Sequence, residues 1–155
     1  MYRDNYLCNF VVMGSRTSCI FCDIINNKEP SEKIYEDNYV ICIKDIHPVS
    51  THHYLILPKE HIRNAKQLKP EHIELYDKML AAIDIILQKQ GLDRAVTRTG
   101  FHWPPFNTVS HLHLHIISPI SNIKFYKRFI YEPGSCWFVS TDYVKSRLQD
   151  NKLIT

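Results

Sequence analysis

His111-Leu112-His113-Leu114-His115-Ile116-Ile117 sets the reading of this chain. In an extended strand successive side chains point to opposite faces, so the alternation predicts three imidazoles on one face and Leu112, Leu114 and Ile116 on the other. One face is core and the other is chemical. Side chains two apart on a strand lie roughly 7 Å apart, a distance suited to spreading contacts along a phosphate group and its substituents. A merely solvated row of histidines would give up packing and strand propensity without return. A metal pair competes better, but a catalytic metal site generally adds a further ligand and a general base, and the chain has no His-Glu-x-x-His element.

The setting is ordinary. The 155 residues, 45% hydrophobic and 12% aromatic, are enough to bury one core and predict one domain. A formal net charge of +3 suits an anionic small molecule and falls far short of the dense basic stripe of a nucleic-acid binder, so nucleic acid is not an expected partner. Five cysteines is an odd number, and the apolar run Phe10 to Met13 is too short for a secretory signal. Reduced thiols in the cytoplasm or nucleus are therefore expected. Asp84 interrupts the longest apolar stretch, Met79 to Leu87, so no membrane anchor is expected.

Outward from the histidines, the pattern predicts α+β architecture, with an antiparallel sheet beside one long helix. Residues 1–17 lack periodicity and read as a flexible tail. Cys19 to Ile25 fits a short helix, Lys33 to Glu36 and Tyr39 to Lys44 a hairpin, and His53 to Leu57 a third strand. Pro70 opens the long helix, whose apolar positions run from Ile73 to Leu87, and Gly91 stops it. Arg94 to Phe101 reads as a strand, His102-Trp103-Pro104-Pro105-Phe106 as a stiff loop, and Val109 to Ser118 as the histidine strand. An apolar strand, Cys136 to Val139, and a short helix capped by Ser140 or Thr141 follow.

The triad His-φ-His-φ-His-φ-φ, with φ hydrophobic, resembles the signature of the histidine triad (HIT) superfamily of nucleotide hydrolases and transferases. Cys19-Ile20-Phe21-Cys22, Lys44-Asp45-Ile46, Thr51-His52-His53-Tyr54 and Pro58-Lys59-Glu60-His61-Ile62 precede it in the family's order. Gly100-Phe101-His102-Trp103-Pro104-Pro105-Phe106, with Ser110 and Ser135-Cys136-Trp137-Phe138, is similar to the third type of histidine triad nucleotide-binding protein, an adenosine phosphoramidase branch. The resemblance implies a HIT-like fold over residues 18–155, with a five-stranded antiparallel sheet, one long helix, shorter helices and a C-terminal strand-helix extension. It also implies a homodimer with a purine nucleotide as substrate.

Roles follow from the resemblance residue by residue. His113 would attack the α-phosphorus as a neutral imidazole, which an unperturbed pKa near 6.5 permits, and form a nucleotidyl-histidine that water hydrolyses. His115 and His53 would contact phosphate oxygens. His111 is divided between orienting its neighbours and binding metal. Thr108 stands where the family often has a serine near the leaving group, and Asn107 could add an amide hydrogen bond. Asp45 could accept from the ribose hydroxyls, or be an Asx turn. Phe21, Ile24, Ile43 and Ile46 could form the slot around the base. Cys19 and Cys22, joined by His61 and His111, could hold a structural zinc, although two small residues in a short helix explain them too. Catalysis would need no cofactor. His102-Trp103-Pro104-Pro105-Phe106 replaces the glycine-rich loop of the best-known branch, which puts leaving-group preference in doubt but not attack by His113.

The expected function is hydrolysis of the P–N bond of adenosine 5'-phosphoramidates, releasing AMP and an amine. A dinucleoside polyphosphate hydrolase would use the same triad, with Asn107 as a short substitute for the usual glutamine. A nucleotide-binding adaptor with incidental activity would use the aromatics Trp103, Phe106, Trp137, Phe138 and Tyr143 at a protein interface.

Overall fold

Asp37 turns the chain between the first two strands, its carboxylate accepting from Tyr39 N at 2.7 Å and Val40 N at 2.8 Å. The flanking strands are β1 (Lys33–Glu36) and β2 (Val40–Lys44), followed by β3 (His52–Pro58). The computed structural model describes residues 19–152, so the tail expected at residues 1–17 lies outside them. The short helix α1 (Ile20–Ile25) precedes the hairpin, and the long helix α2 (Ile73–Gln90) follows β3. Gly91 ends α2 in the left-handed conformation at φ 62°, which a glycine adopts without steric cost.

The remaining strands are β4 (Arg98–His102), β5 (Leu114–Ser118) and β6 (Phe138–Ser140); α3 (Phe125–Arg128) lies between β5 and β6, and α4 (Thr141–Lys152) comes last. Every pairing is antiparallel, in the order β1-β2-β3-β5-β4-β6. The sheet has six strands and not the five expected, because the C-terminal extension adds β6 along β4 instead of standing apart. Gly100 makes this possible: a Cβ there would lie 2.4 Å from both the Phe138 ring and the Val139 carbonyl.

Strand alternation divides the core. Val40, Cys42, Tyr54, Ile56, Leu114 and Ile116 face α2, whose Tyr76, Met79, Ile83 and Ile86 are buried against them. Val144 and Leu148 of α4 join this cluster, and Tyr76 Oη donates to the Thr141 carbonyl at 2.7 Å. Ile41, Ile43, Leu55 and Leu57 point the other way and pack with Phe21 and Ile24 of α1. That second face carries the histidines. No helix among the described residues is long and apolar enough to cross a membrane.

Two strands are shorter than the sequence pattern predicts. Regular pairing of the histidine strand begins at Leu114 and not Val109, because Leu112 N donates to the Ile62 carbonyl and the His111 ring bonds the Pro58 carbonyl, drawing the chain off the ladder. The stretch read as a strand from Arg94 opens with a 3-10 turn at Arg94–Val96, capped by Asp93 accepting from Ala95 N at 2.8 Å.

Candidate active site

A cavity of about 360 Å³ opens on the histidine face. Phe21, Ile24, Ile43, Leu55 and Val109 give it an apolar end, with Ile46 at the rim, 84% exposed. Asp45, His113, His115 and Thr108 line it as the sequence reading expects, and His102, Lys127 and Tyr131 line it without having been anticipated. Asn107 lies elsewhere: it shares a small cleft with Arg63, Asn64, His111 and His113, and its amide donates to the Val109 carbonyl at 3.2 Å.

The hydrogen-bond partners assign the tautomers, since a carbonyl can only accept and a backbone N–H can only donate. His113 Nδ1 is 2.6 Å from the His111 carbonyl, so Nδ1 carries the proton and Nε2 keeps its lone pair. Burial, partly opposed by that hydrogen bond, lowers the His113 pKa to about 4 and keeps the ring neutral at physiological pH. His53 Nδ1 accepts from Val49 N at 3.3 Å, which puts its proton on Nε2. That Nε2–H lies 2.9 Å from His115 Nδ1 and 3.4 Å from Asp45 Oδ2. His115 must then accept at Nδ1 and carry its own proton on Nε2. This Nε2 is buried without a partner among the described residues, a costly state for a fold to maintain and one that a ligand oxygen would relieve.

Burial lowers the His53 pKa to about 4, against the raising effect of Asp45, and lowers His115 well below its ordinary value. Asp45 also accepts from His47 N at 2.8 Å, so the Asx turn and a place on the cavity wall coexist. His52 points away from the site, its Nδ1 2.9 Å from Tyr54 Oη.

His102 is the site residue that pattern reading missed. Its ring packs edge-on against His115 with centroids 4.8 Å apart, and its Nδ1–H donates to the Trp137 carbonyl at 3.2 Å, leaving a lone pair on Nε2. Phe138, fully buried, backs both rings at centroid distances of 5.4 and 5.9 Å. Tyr131 lies against His53, His102 and His115, and burial with the nearby Asp45 pushes its phenol up to about 12. The available sequence signal was a histidine directly after the stretch read as a strand from Arg94 to Phe101, in the loop that leads to the triad.

Cys19, Cys22, His61 and His111 converge behind the triad, their ligand atoms all within 4.8 Å of one another. His61 Nδ1 and His111 Nδ1 are 3.2 Å apart, Cys22 Sγ is 3.2 Å from His61 Nδ1, and both sulfurs are 3.5 Å from His111 Nδ1. Tetrahedral zinc with nitrogen near 2.05 Å and sulfur near 2.3 Å requires about 3.3 Å between nitrogens and about 3.6 Å between nitrogen and sulfur, so the set fits such an ion. His111 Nε2–H donates to the Pro58 carbonyl at 2.9 Å, which leaves Nδ1 as the atom that would meet a metal. Without an ion, burial and the neighbouring Cys19 push the Cys22 thiol up to about 11.

Comparison with known proteins agrees with this geometry. Residues 18–130 match the family model described as "Scavenger mRNA decapping enzyme C-term binding". The chain is 42% identical over 134 residues to "Adenosine 5'-monophosphoramidase HINT3" of Xenopus tropicalis, covering 85% of this chain and 88% of that protein. It is 42% identical over 104 residues to "Bifunctional adenosine 5'-phosphosulfate phosphorylase/adenylylsulfatase HINT4" of Arabidopsis thaliana, covering 66% of this chain and 70% of that one. A solved HIT family hydrolase from Clostridium thermocellum superposes with a TM-score of 0.62 at 35% identity, over 65% of this chain and 90% of its own. The motif, the fold and these matches together establish that the chain belongs to the histidine triad family.

Proposed function

We propose that this chain hydrolyses adenosine 5'-phosphoramidates to AMP and an amine through a nucleotidyl intermediate on His113. The observation that carries the reading is the pairing of a proton-free His113 Nε2 with the unpartnered Nε2–H of His115 at one cavity wall. In the first step the His113 lone pair forms a bond to the α-phosphorus and the P–N bond breaks, the amine leaving with the electron pair and taking a proton at the cavity mouth beside Thr108. The His115 donor holds a phosphate oxygen as negative charge builds on it, while His53 holds His115 in that tautomer. In the second step water attacks the phosphorus, its proton passes to the lone pair of His102, and the electron pair of the broken bond returns to His113. The base occupies the apolar end and Asp45 meets the ribose.

The name of the Xenopus relative supports the phosphoramidase assignment. A polyphosphate hydrolase reading loses its residue, because Asn107 turns away from the cavity. Zinc at Cys19, Cys22, His61 and His111 would fix α1 to the chain before the triad and take no part in the reaction. A homodimer that extends the sheet next to β4 would have to form through β6, which occupies that edge. The free thiols of the described cysteines suit the cytoplasm or nucleus.

The test is adenosine 5'-phosphoramidate turnover by wild type and by His113→Asn. The variant should fold, bind AMP and lose nearly all turnover, and acid-quenched wild type should carry a labile adenylyl group on His113. Wild-type rates in His113→Asn would end the proposal.

A further inference from the structure

The short helix α3 is inside out. Phe125, Tyr126 and Phe129 in and after it are 83%, 49% and 54% exposed, while Lys127 between them is half-buried and lines the nucleotide cavity. An exposed aromatic is common, but turning a lysine inward at the expense of three aromatics is a choice that needs a reason. The segment is firmly built. Arg128 donates from Nε to the Ile123 carbonyl and from Nη2 to the Ser121 carbonyl, both at 3.0 Å, and Ile123 is buried against Val49 and Ile117. Downstream, Arg98 Nη1 donates to the Tyr131 carbonyl at 3.0 Å.

The charges around Lys127 are already committed. Lys44, the other lysine on the wall, pairs with Glu32 at 3.3 Å. Asp45, the one carboxylate lining the cavity among the described residues, is engaged by His47 N and His53. Among the described residues Lys127 makes no ion pair, and its charge reaches His53, disfavouring protonation there. The apolar end takes the base and the histidines take the phosphate, which leaves the wall of His102, Tyr131, Thr108 and Lys127 for the leaving group.

Resting on the nucleotide reading above, we propose that Lys127 is a specificity-determining residue for the leaving group, and that the site favours substrates whose leaving group carries an anionic oxygen group such as a carboxylate or sulfate. A leaving group bearing a second ammonium is disfavoured, since among the described residues no free carboxylate on the wall would meet it.

The test uses three adenosine 5'-phosphoramidates on one scaffold, with β-alanine, β-alanine amide and 1,3-diaminopropane as leaving amines. Comparing ratios between proteins cancels the amines' intrinsic reactivities. The kcat/KM ratio of the carboxylate compound to the amide should fall about fivefold in Lys127→Gln, survive in Lys127→Arg and invert in Lys127→Glu, on the scale of one partly screened ion pair. The diamine compound should gain in Lys127→Glu. An unchanged ratio in Lys127→Gln overturns the proposal. So does an equal loss on all three substrates, which would place the ammonium on the α-phosphate. Calorimetry with His113→Asn and the same compounds separates the two readings. A charge preference in binding that Lys127→Gln abolishes, with no turnover by the parent protein, would overturn the hydrolase assignment and leave the role of Lys127 standing; equal binding of all three would remove that role.

Discussion

Gly100→Ala is expected to unseat the C-terminal strand and, through it, the rings of His102 and His115. The new methyl carbon would lie 2.4 Å from the Phe138 ring and 2.4 Å from the Val139 carbonyl, against 3.4 Å for ordinary contact, so β6 must retreat by about 1 Å. The ring could swing away, but the carbonyl belongs to the strand and cannot. Retreat strains the pairings Gly100↔Ser140, Phe101↔Val139 and His102↔Phe138 and opens the site of a fully buried phenylalanine. Full detachment would release Phe138 and Val139, worth about 2 kcal/mol each, while overpacking absorbed in place costs about 1 to 3 kcal/mol, so a loss near 3 kcal/mol is expected. With an m-value of roughly 2 kcal/mol/M, the urea midpoint should fall by about 1.5 M. Phosphoramidate turnover should fall at least about tenfold, because His102 loses the Trp137 carbonyl that fixes its tautomer. Thr99→Ala, one position earlier on β4, serves as the control. In Gly100→Ala/Phe138→Ala the ring clash is gone while the carbonyl clash remains, so the double variant should be more stable than the sum of the two single losses. A midpoint within about 0.3 M of wild type for Gly100→Ala, or strict additivity in the double variant, would refute the reasoning.

Three further outcomes follow from the site. His53 and His113 are held near pKa 4 in the fold against about 6.5 unfolded, so the unfolded chain takes up protons first; stability is full above about pH 6.5 and falls toward pH 4, by up to about 2 kcal/mol per ring at pH 5. Urea midpoints measured from pH 8 to 5 should show this fall, and His113→Asn should flatten it; equal slopes in both proteins would remove His113 from the account. Protein purified without chelators should hold about one zinc per chain, and Cys22→Ser should lose it together with thermal stability; metal far below that level in wild type would dismiss the site. His102→Gln should keep AMP affinity within about threefold and slow release of AMP from the adenylyl intermediate, read as a larger burst of amine, whereas an unchanged steady-state rate would deny the ring a catalytic part.

Local pattern made half of this site legible. The hairpin, the third strand, the limits of α2 and the triad itself follow from periods of 2 and 3.6 with Pro70 and Gly91 as punctuation, signals that lie within a dozen residues. The grouping of Cys19, Cys22, His61 and His111 was readable through the family resemblance, since a C-x-x-C alone does not choose among the chain's nine histidines. What stayed hidden depends on a strand of three residues. β6 was readable as the apolar run Cys136 to Val139, but its partner β4 lies some 35 residues upstream, so neither its joining of the sheet nor the placement of His102 against His115 could be read locally. Lys127 was hidden for a different reason: in a helix with aromatics on either side, amphipathic reasoning turns the lysine outward, and the structure turns it in.

The three triad rings differ in chemistry because each meets a different backbone group, although the sequence presents them as equals. Both His111 and His113 donate to carbonyls, but through opposite nitrogens: His111 through Nε2 to Pro58, His113 through Nδ1 to the carbonyl of His111 itself. The first arrangement frees Nδ1 for the cysteine cluster and the second leaves the lone pair on Nε2 of a ring that lines the cavity. Among the described residues His115 meets no carbonyl, and it takes its tautomer from His53, which takes its own from Val49 N. His111 therefore belongs to both halves of the site, with its ring beside Cys19, Cys22 and His61 and its carbonyl accepting from His113 Nδ1 at 2.6 Å. An ion that fixes the ring limits how far that carbonyl can move. A metal remote from the phosphate would in this way keep the lone pair of His113 on the side where the substrate lies.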